Sequence, residues 1–279
     1  MLMIGSRNRL AATRLAGPGL FLDGGEDGDI LLPARLVPAG AKPGDSLDVF
    51  VYLDSEDRLI ATTEQPLAEV GEVAWLRVRD VNDAGAFLDW GLPKDLLLPY
   101  NEQPRELKRF IEPGRHCMVM VFVDDSGRIA ASARLDDFIS HEASGIDAGQ
   151  QVSLLVADRT DIGVRVVVNH RFWGLLYADE IFQPLQRGDR QVGYVRKLRP
   201  DQRLDISLNP PVRERMDAVS QGILEQLEKH GGFMAVSDKS PPELIYKVFG
   251  VSKKVFKQAI GALYKERRIV IESAGIRLV

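Results

Sequence analysis

Three groups of side chains in this 279-residue chain have the types and spacing to grip a polyanion. Strand alternation around Phe87 puts Phe87 and Asp89 on one face and Ala86, Leu88 and Trp90 on the other, so Phe87 can present an aromatic ring outward. His170-Arg171-Phe172-Trp173, followed by Tyr177, sets cations among rings, the mixture that holds single-stranded nucleic acid by stacking and phosphate contact. Lys253, Lys254, Lys257, Lys265, Arg267 and Arg268 are accompanied by one acid, Glu266, over a predicted helix. Each group also has an ordinary role open to it. Phe87 can pack under a loop or a neighbouring domain, Trp173 can be core, and a basic helix face can be merely solvated.

Other chemistries find little material. His116, His141, His170 and His230 form no His-x-x-x-His pair, and a lone Cys117 excludes disulfides and thiolate clusters, so neither a metal site nor a cofactor is expected. Phosphate-binding loops, dinucleotide glycine fingerprints and nucleophile elbows are absent from the sequence. Dispersed carboxylates are the one route left to catalysis, and the expectation is a non-enzyme. The longest apolar run, the seven residues Cys117–Val123, is far short of the ~20 needed to cross a bilayer. Met1–Ile4 is too short for a signal-peptide core. These features predict a soluble, cytoplasmic protein with no membrane partner.

The elements that must position these side chains repeat. Gly85–Pro99 reads G-A-F-L-D-W-G-L-P-K-D-L-L-L-P, and Gly19–Pro33 reads G-L-F-L-D-G-G-E-D-G-D-I-L-L-P. A divergent third copy runs from Gly163 to Tyr177. In the second copy, strands are expected at Val73–Val81, around Phe87, at Leu96–Leu98, at Cys117–Val123 and at Arg128–Ser132, with a helix-like connector over Gln103–Ile111. Five short strands per unit with a connector after the third is the outline of an OB-type closed barrel. The apolar second face of the Cys117–Val123 strand, with Met118, Met120 and Phe122, is a candidate for packing between copies. The last seventy residues change period. Helices are expected over Val212–Lys229, from a Ser240 cap to Phe249, and from a Ser252 cap to about Arg268, followed by a hairpin over Ile269–Val279. That is a winged helix-turn-helix.

The predicted architecture is therefore mainly β: three tandem OB-fold barrels at 1–66, 67–135 and 151–210, a polar linker at 136–150, and an α/β winged-helix domain at 211–279. Formal charge divides unevenly along it. The chain carries −4 overall, but 17–66 carries −7 and 67–135 carries −2, whereas 151–210 carries +2 and 211–279 carries +4. Phosphate neutralisation supplies most of non-specific affinity, so nucleic-acid contact is expected toward the C-terminal half.

The second repeat carries a resemblance. Val70-Gly-Glu-Val, Asp83-Ala-Gly-Ala-Phe-Leu-Asp and the ending Val121-Phe-Val-Asp…Arg128-Ile-Ala-Ala-Ser resemble the S-one RNA-binding domain. The phrase Phe87-Leu-Asp-Trp-Gly-Leu-Pro-Lys-Asp-Leu-Leu-Leu-Pro99, with flanking repeats and a terminal winged helix, resembles the conserved virulence factor B (CvfB/YitL-like) family of bacterial RNA-binding proteins. The resemblance implies three S-one domains and a winged helix, RNA binding, control of virulence-related expression, and no catalysis. It also implies a site of two aromatics near the first turn, a histidine after the third strand, and an Asp…Arg pair near the end. Phe87 fills the second aromatic position, and Asp124 with Arg128 forms the pair, either as a phosphate contact or as a turn-stabilising ion pair. Ala84 replaces the first aromatic and Pro99 the histidine. Repeat one keeps Phe21, Asp54 and Arg58 within an acidic surround. Repeat three has Arg199 and Arg203 at the pair and Tyr177 at the proline position. The expected partner is single-stranded RNA, bound through repeats two and three and through Lys253, Lys254 and Lys257. DNA binding through the winged helix and docking to the ribosome or a protein are the alternatives.

Overall fold

The computed structural model describes residues 2–279, without the side chains of residues 212–215, so Met1 of the apolar start lies outside it. The chain forms two units, Met1–Leu208 and Asn209–Val279.

The first unit holds three five-stranded β structures. Barrel one comprises β1 (Arg7–Ala16), β2 (Gly19–Asp23), β3 (Asp29–Pro33), β4 (Ser46–Leu53) and β5 (Leu59–Thr62), closed in the order β1-β2-β3-β5-β4. Barrel two comprises β6 (Val73–Asn82), β7 (Gly85–Asp89), β8 (Leu96–Pro99), β9 (His116–Val123) and β10 (Ile129–Ser132). Its ladder runs β10-β9-β6-β7-β8, and β10 lies alongside β8 to bring the sheet almost to closure. Barrel three comprises β11 (Gln151–Thr160), β12 (Gly163–Val168), β13 (Phe172–Tyr177), β14 (Arg190–Leu198) and β15 (Leu204–Ser207), closed as β11-β12-β13-β15-β14. The first strand of each barrel is bulged, between Ala12 and Arg14, Val78 and Asp80, and Val156 and Arg159. A bulge bends the strand and increases its twist, which lets so short a sheet curl on itself.

The fourth strand of the first two barrels is apolar on both faces. In β4, Val49 and Val51 face the core of barrel one, whereas Phe50 and Tyr52 join the core of barrel two. There Trp90 meets Phe50 edge-on at 5.7 Å and Tyr52 at 6.3 Å. In β9, Cys117, Val119 and Val121 face inward, while Met118 and Met120 pack with Leu155, Ala157, Val167 and Trp173 of barrel three. The expected packing through this second face is thus present. Gly188, at φ +91°, lies flat against the indole of Trp75, where a Cβ would come within 2.2 Å of a ring carbon.

Two local expectations are corrected. Gln103–Ile111 is no α-helix: the N–H groups of Leu107, Phe110 and Ile111 reach back three residues, to Pro104, Leu107 and Lys108, so the segment is a turn followed by the 3-10 turn Lys108–Phe110. Nor is 136–150 a free linker. Ile139, Ala143 and Ile146 are buried, and Ser140 exchanges backbone hydrogen bonds of 2.9 Å with Arg171 and Trp173. The segment is stitched onto β13, and its polar residues are those left facing solvent.

His170 ties barrels two and three. Its Nδ1 accepts the Val73 N–H at 2.9 Å, and burial lowers its pKa below the ordinary 6.5 against the opposing pull of Glu72. A lowered histidine pKa means that the unfolded chain takes up the proton first. The contribution is therefore complete above about pH 6.5 and declines as pH falls through the window beneath it. We expect the urea midpoint to fall between about pH 7.5 and 5.5, above the range where ordinary carboxylates titrate. His170→Asn should flatten that part of the profile; an unchanged slope would refute the assignment.

The second unit contains α1 (Val212–Lys229), β16 (Phe233–Met234), α2 (Pro242–Phe249), α3 (Lys253–Lys265), β17 (Ile269–Ile271) and β18 (Ile276–Leu278), with sheet order β16-β18-β17. Ile223, Leu227, Ile245, Phe256, Ile260 and Ile276 are among its buried core. The winged helix is as expected, with β16 as an additional strand. Ser252 Oγ caps α3 by accepting the Val255 N–H, and Arg267 at φ 59° stops the helix just short of the expected end. Ser240 is not the cap of α2: Pro241 holds that place, with Pro242 at the first turn.

Candidate nucleic-acid interface

β7 turns Ala86 and Leu88 into barrel two and leaves Phe87 and Asp89 half-buried on its outer face. Asp89 is taken by Arg79 at 3.1 Å. Phe87 instead lines an open groove of about 490 Å³, together with Tyr52, Lys94, Leu97, Pro99 and Arg128. Asp124 also borders this groove, so the structure brings Phe87, Asp124 and Arg128 together. The expected Asp124–Arg128 side-chain pair does not form. Asp124 Oδ1 accepts from Ser126 Oγ at 2.6 Å, the Ser126 N–H at 2.9 Å and the Arg128 N–H at 3.0 Å. Burial works to raise its pKa, but these hydrogen bonds and the Arg128 charge outweigh it and hold the carboxyl below its usual range. Asp124 therefore shapes the turn that projects Arg128, whose guanidinium meets Asp57 of barrel one at 3.0 Å.

In barrel one the corresponding cations are quenched by their own acids. Arg58 pairs with Asp54 and Glu56, each at 2.7 Å. Arg14 covers the Phe21 ring at 3.6 Å and pairs with Asp29 at 3.1 Å.

Barrel three departs further from expectation. Trp173 is 5% exposed, its Nε1–H donates to Asp136 Oδ1 at 2.8 Å, and Arg165 covers the ring at 4.0 Å. It is a core residue between barrels, with no free face for a base. Tyr177 and Arg199 are likewise engaged: Arg199 Nε meets Asp205 Oδ1 at 2.7 Å, and its guanidinium also bonds the Tyr177 hydroxyl. Arg203, exposed and only loosely paired with Asp201 at 3.7 Å, borders a pocket of about 310 Å³ with Arg165, Leu175 and Arg199. Arg171 is exposed on the β12–β13 turn, outside the residues lining that pocket.

On α3, Lys254 and Lys257 are exposed and three residues apart, so they share a face opposite the buried Phe256, Ala259 and Ile260. Lys253 is different: it is half-buried, and its Nζ donates to the Ser240 carbonyl at 3.0 Å. Two relevant groups were missed in the sequence, Lys94 and Asp57. The signal for Lys94 was its place as the one base inside the repeated phrase. Among the described residues, no cluster of three or more His, Cys, Asp or Glu side chains is arranged to hold a metal. Burial pushes the Cys117 thiol up to about 11, as suits a small core residue. Among the described residues, no helix is long and apolar enough to cross a membrane.

Residues 4–64 and 70–134 match the family model of the S1 domain, and residues 221–278 match that of the CvfB-like winged helix domain. The uncharacterized protein YitL of Bacillus subtilis is 30% identical over 259 residues, covering 91% of this chain and 87% of that protein. The chain belongs to the conserved virulence factor B family. Conserved virulence factor B of Staphylococcus epidermidis is 26% identical over 286 residues, 99% of this chain and 95% of that protein, and its Staphylococcus aureus counterpart is 27% identical over 243 residues, 84% and 80%. A crystal structure of a multidomain protein with nucleic acid binding domains from Streptococcus pneumoniae aligns over 99% of this chain and 98% of that one, at 26% identity and a TM-score of 0.42. The S1 and winged-helix matches indicate a nucleic-acid partner.

Proposed function

We propose that this chain is a non-catalytic, cytoplasmic RNA-binding protein that regulates gene expression after transcription by holding single-stranded RNA. The observation that carries the reading is the barrel-two groove, where the half-buried ring of Phe87 lies in one open cleft with Lys94 and Arg128. A ring for a base and cations for phosphates is what a sequence-tolerant single-strand site needs. Arg203 and Arg171 on barrel three, and Lys254 and Lys257 on the winged helix, add the remaining contacts. Asp124 acts through the turn it shapes. Trp173, Tyr177, Arg199 and Lys253 support these groups from within.

The test is a filter-binding titration of the full chain against pyrimidine-rich single-stranded RNA at about 50 and 200 mM salt. Salt-weakened binding is expected, because phosphate contacts release counterions; absence of binding at the lower salt refutes the reading. Phe87→Leu, which keeps an apolar side chain but removes the ring, should weaken binding roughly 5- to 150-fold, one stacked base being worth about 1–3 kcal/mol. A second reading, DNA binding led by the winged helix, draws on the exposed Lys254 and Lys257 pair on α3. Removing residues 211–279 separates the two: duplex-DNA binding should vanish, while the barrels keep most of their affinity for RNA.

A further inference from the structure

The β4–β5 turn of barrel one reaches into the groove of barrel two. Asp57 Oδ2 lies 3.0 Å from Arg128 Nη2, and Asp57 Oδ1 lies 3.6 Å from Lys94 Nζ. One carboxylate thus spends its two oxygens on two cations that belong to the neighbouring barrel. Two non-bridging phosphate oxygens present the same pattern of charge and acceptors.

Lys94 is held at both ends. Its Nζ donates to the Asp54 carbonyl at 2.7 Å, and its own carbonyl accepts the buried Trp90 indole N–H at 2.6 Å. Arg128 is projected by the turn that Asp124 fixes. The two cations are therefore set by backbone and core, with Asp57 added on top.

The local fold does not require Asp57 to be an acid. Its φ is 58°, and the residue at the same place, just before the arginine, is Gly127 at φ 80° in barrel two and Gln202 at φ 60° in barrel three. The turn asks only for a residue that tolerates left-handed backbone, which glycine does at no steric cost. Nor does Asp57 serve its neighbour Arg58, which is satisfied by Asp54 and Glu56. Its carboxylate is used across the boundary between barrels.

We infer that Lys94 and Arg128 form a phosphate subsite spanning barrels one and two, and that Asp57 fills its anion position until a phosphate of a bound single strand displaces it. The side chains of Asp57, Lys94 and Arg128 are 47%, 37% and 61% exposed, so the pairs are well solvated. Solvated pairs of this kind are weak and yield to a competing polyanion. The inference rests on reading the Phe87 groove as an RNA site, and it sets the affinity of that site: barrel one lowers it through one residue.

The experiment follows anisotropy of a fluorescent oligouridylate titrated with the full chain at about 50, 100 and 200 mM KCl. Asp57→Asn keeps the volume and tolerates the left-handed turn. It is expected to tighten binding about threefold or more at the lowest salt, with a gain that shrinks as screening increases. Glu56→Gln, which removes an acid from the same turn but not from the subsite, should give no comparable gain. In a Lys94→Gln, Arg128→Gln background, Asp57→Asn should give none. Measurable wild-type binding with no gain in Asp57→Asn overturns the subsite and leaves the proposed function standing. A gain that persists without Lys94 and Arg128, or is matched by Glu56→Gln, also overturns it, since general charge would then explain the effect. Failure of both wild type and Asp57→Asn to bind overturns the proposed function and the subsite together.

Discussion

Replacing Trp173 with alanine is expected to destabilise the Met1–Leu208 unit by about 3–5 kcal/mol, the usual cost of truncating a large aromatic in a core. The indole is 5% exposed and packs with Met118, Met120, Ile139 and Leu155, so its removal opens a cavity between barrels two and three. It also leaves Asp136 without the N–H that now reaches it at 2.8 Å, and Arg165 without the ring beneath it at 4.0 Å. Urea unfolding of the full chain, followed by circular dichroism in the β region, reads the loss. Trp173→Leu, which removes the ring but keeps an apolar side chain, distinguishes packing from recognition. It should lose the hydrogen bond and part of the volume, unfold at lower urea, and, under conditions where it stays folded, bind RNA within about twofold of wild type, far less than the effect expected of a lost base-stacking ring. A folded Trp173→Leu protein with strongly impaired RNA binding would reinstate the tryptophan as a contact.

Gly85→Ala should be comparably damaging, at about 3 kcal/mol or more. Gly85 faces Pro99 across the β7–β8 ladder, and a Cβ there would lie 2.3 Å from the Leu98 carbonyl oxygen and 2.9 Å from the Pro99 Cα. Both obstacles are backbone in a paired strand, so neither can rotate aside. The close approach recurs in the other copies, at 2.0 Å from the Leu32 oxygen for Gly19 and 2.0 Å from the Leu176 oxygen for Gly163. Gly127→Ala provides the contrast. No atom lies within 4 Å of its Cβ position, and only its φ of +80° opposes a side chain, so its cost should stay near 1–2 kcal/mol. If the two substitutions cost the same, close approach is not what the first glycine of each repeat provides.

That glycine explains why the fold could be read from the chain. The repeated phrase combines a backbone requirement with apolar alternation, and both are local properties that any copy must satisfy. The same alternation correctly placed Phe87 and Asp89 outside barrel two. Alternation tells which residues share a face, however, and not what covers that face. Phe87 and Trp173 are both aromatic residues on barrel strands, yet one lines an open groove and the other is sealed by β9 of the neighbouring barrel. For the same reason the polar majority of 136–150 suggests a linker, although Ile139, Ala143 and Ile146 anchor it. The Asp124–Arg128 spacing identified the turn, but the partner of Arg128 is Asp57 in the preceding repeat, a contact that no short window contains. Lys253 illustrates the limit on α3, where helical spacing cannot reveal that the Ser240 carbonyl is waiting for one of three similar lysines.

The two-faced fourth strand makes the barrels an array rather than beads on a string. Phe50 and Tyr52 on β4 dock the second barrel, and Met118 and Met120 on β9 dock the third, by the same geometry. On β14 the outward positions carry Val192, exposed, Tyr194, half-buried, and Arg196, paired with Glu180. Of these three side chains only Arg196 brings a charge to the face that β9 fills with Met118 and Met120. Excising barrel two would leave Met118 and Met120 uncovered on one side and deprive its core of Phe50 and Tyr52 on the other. The smallest piece expected to stay soluble is therefore the whole series.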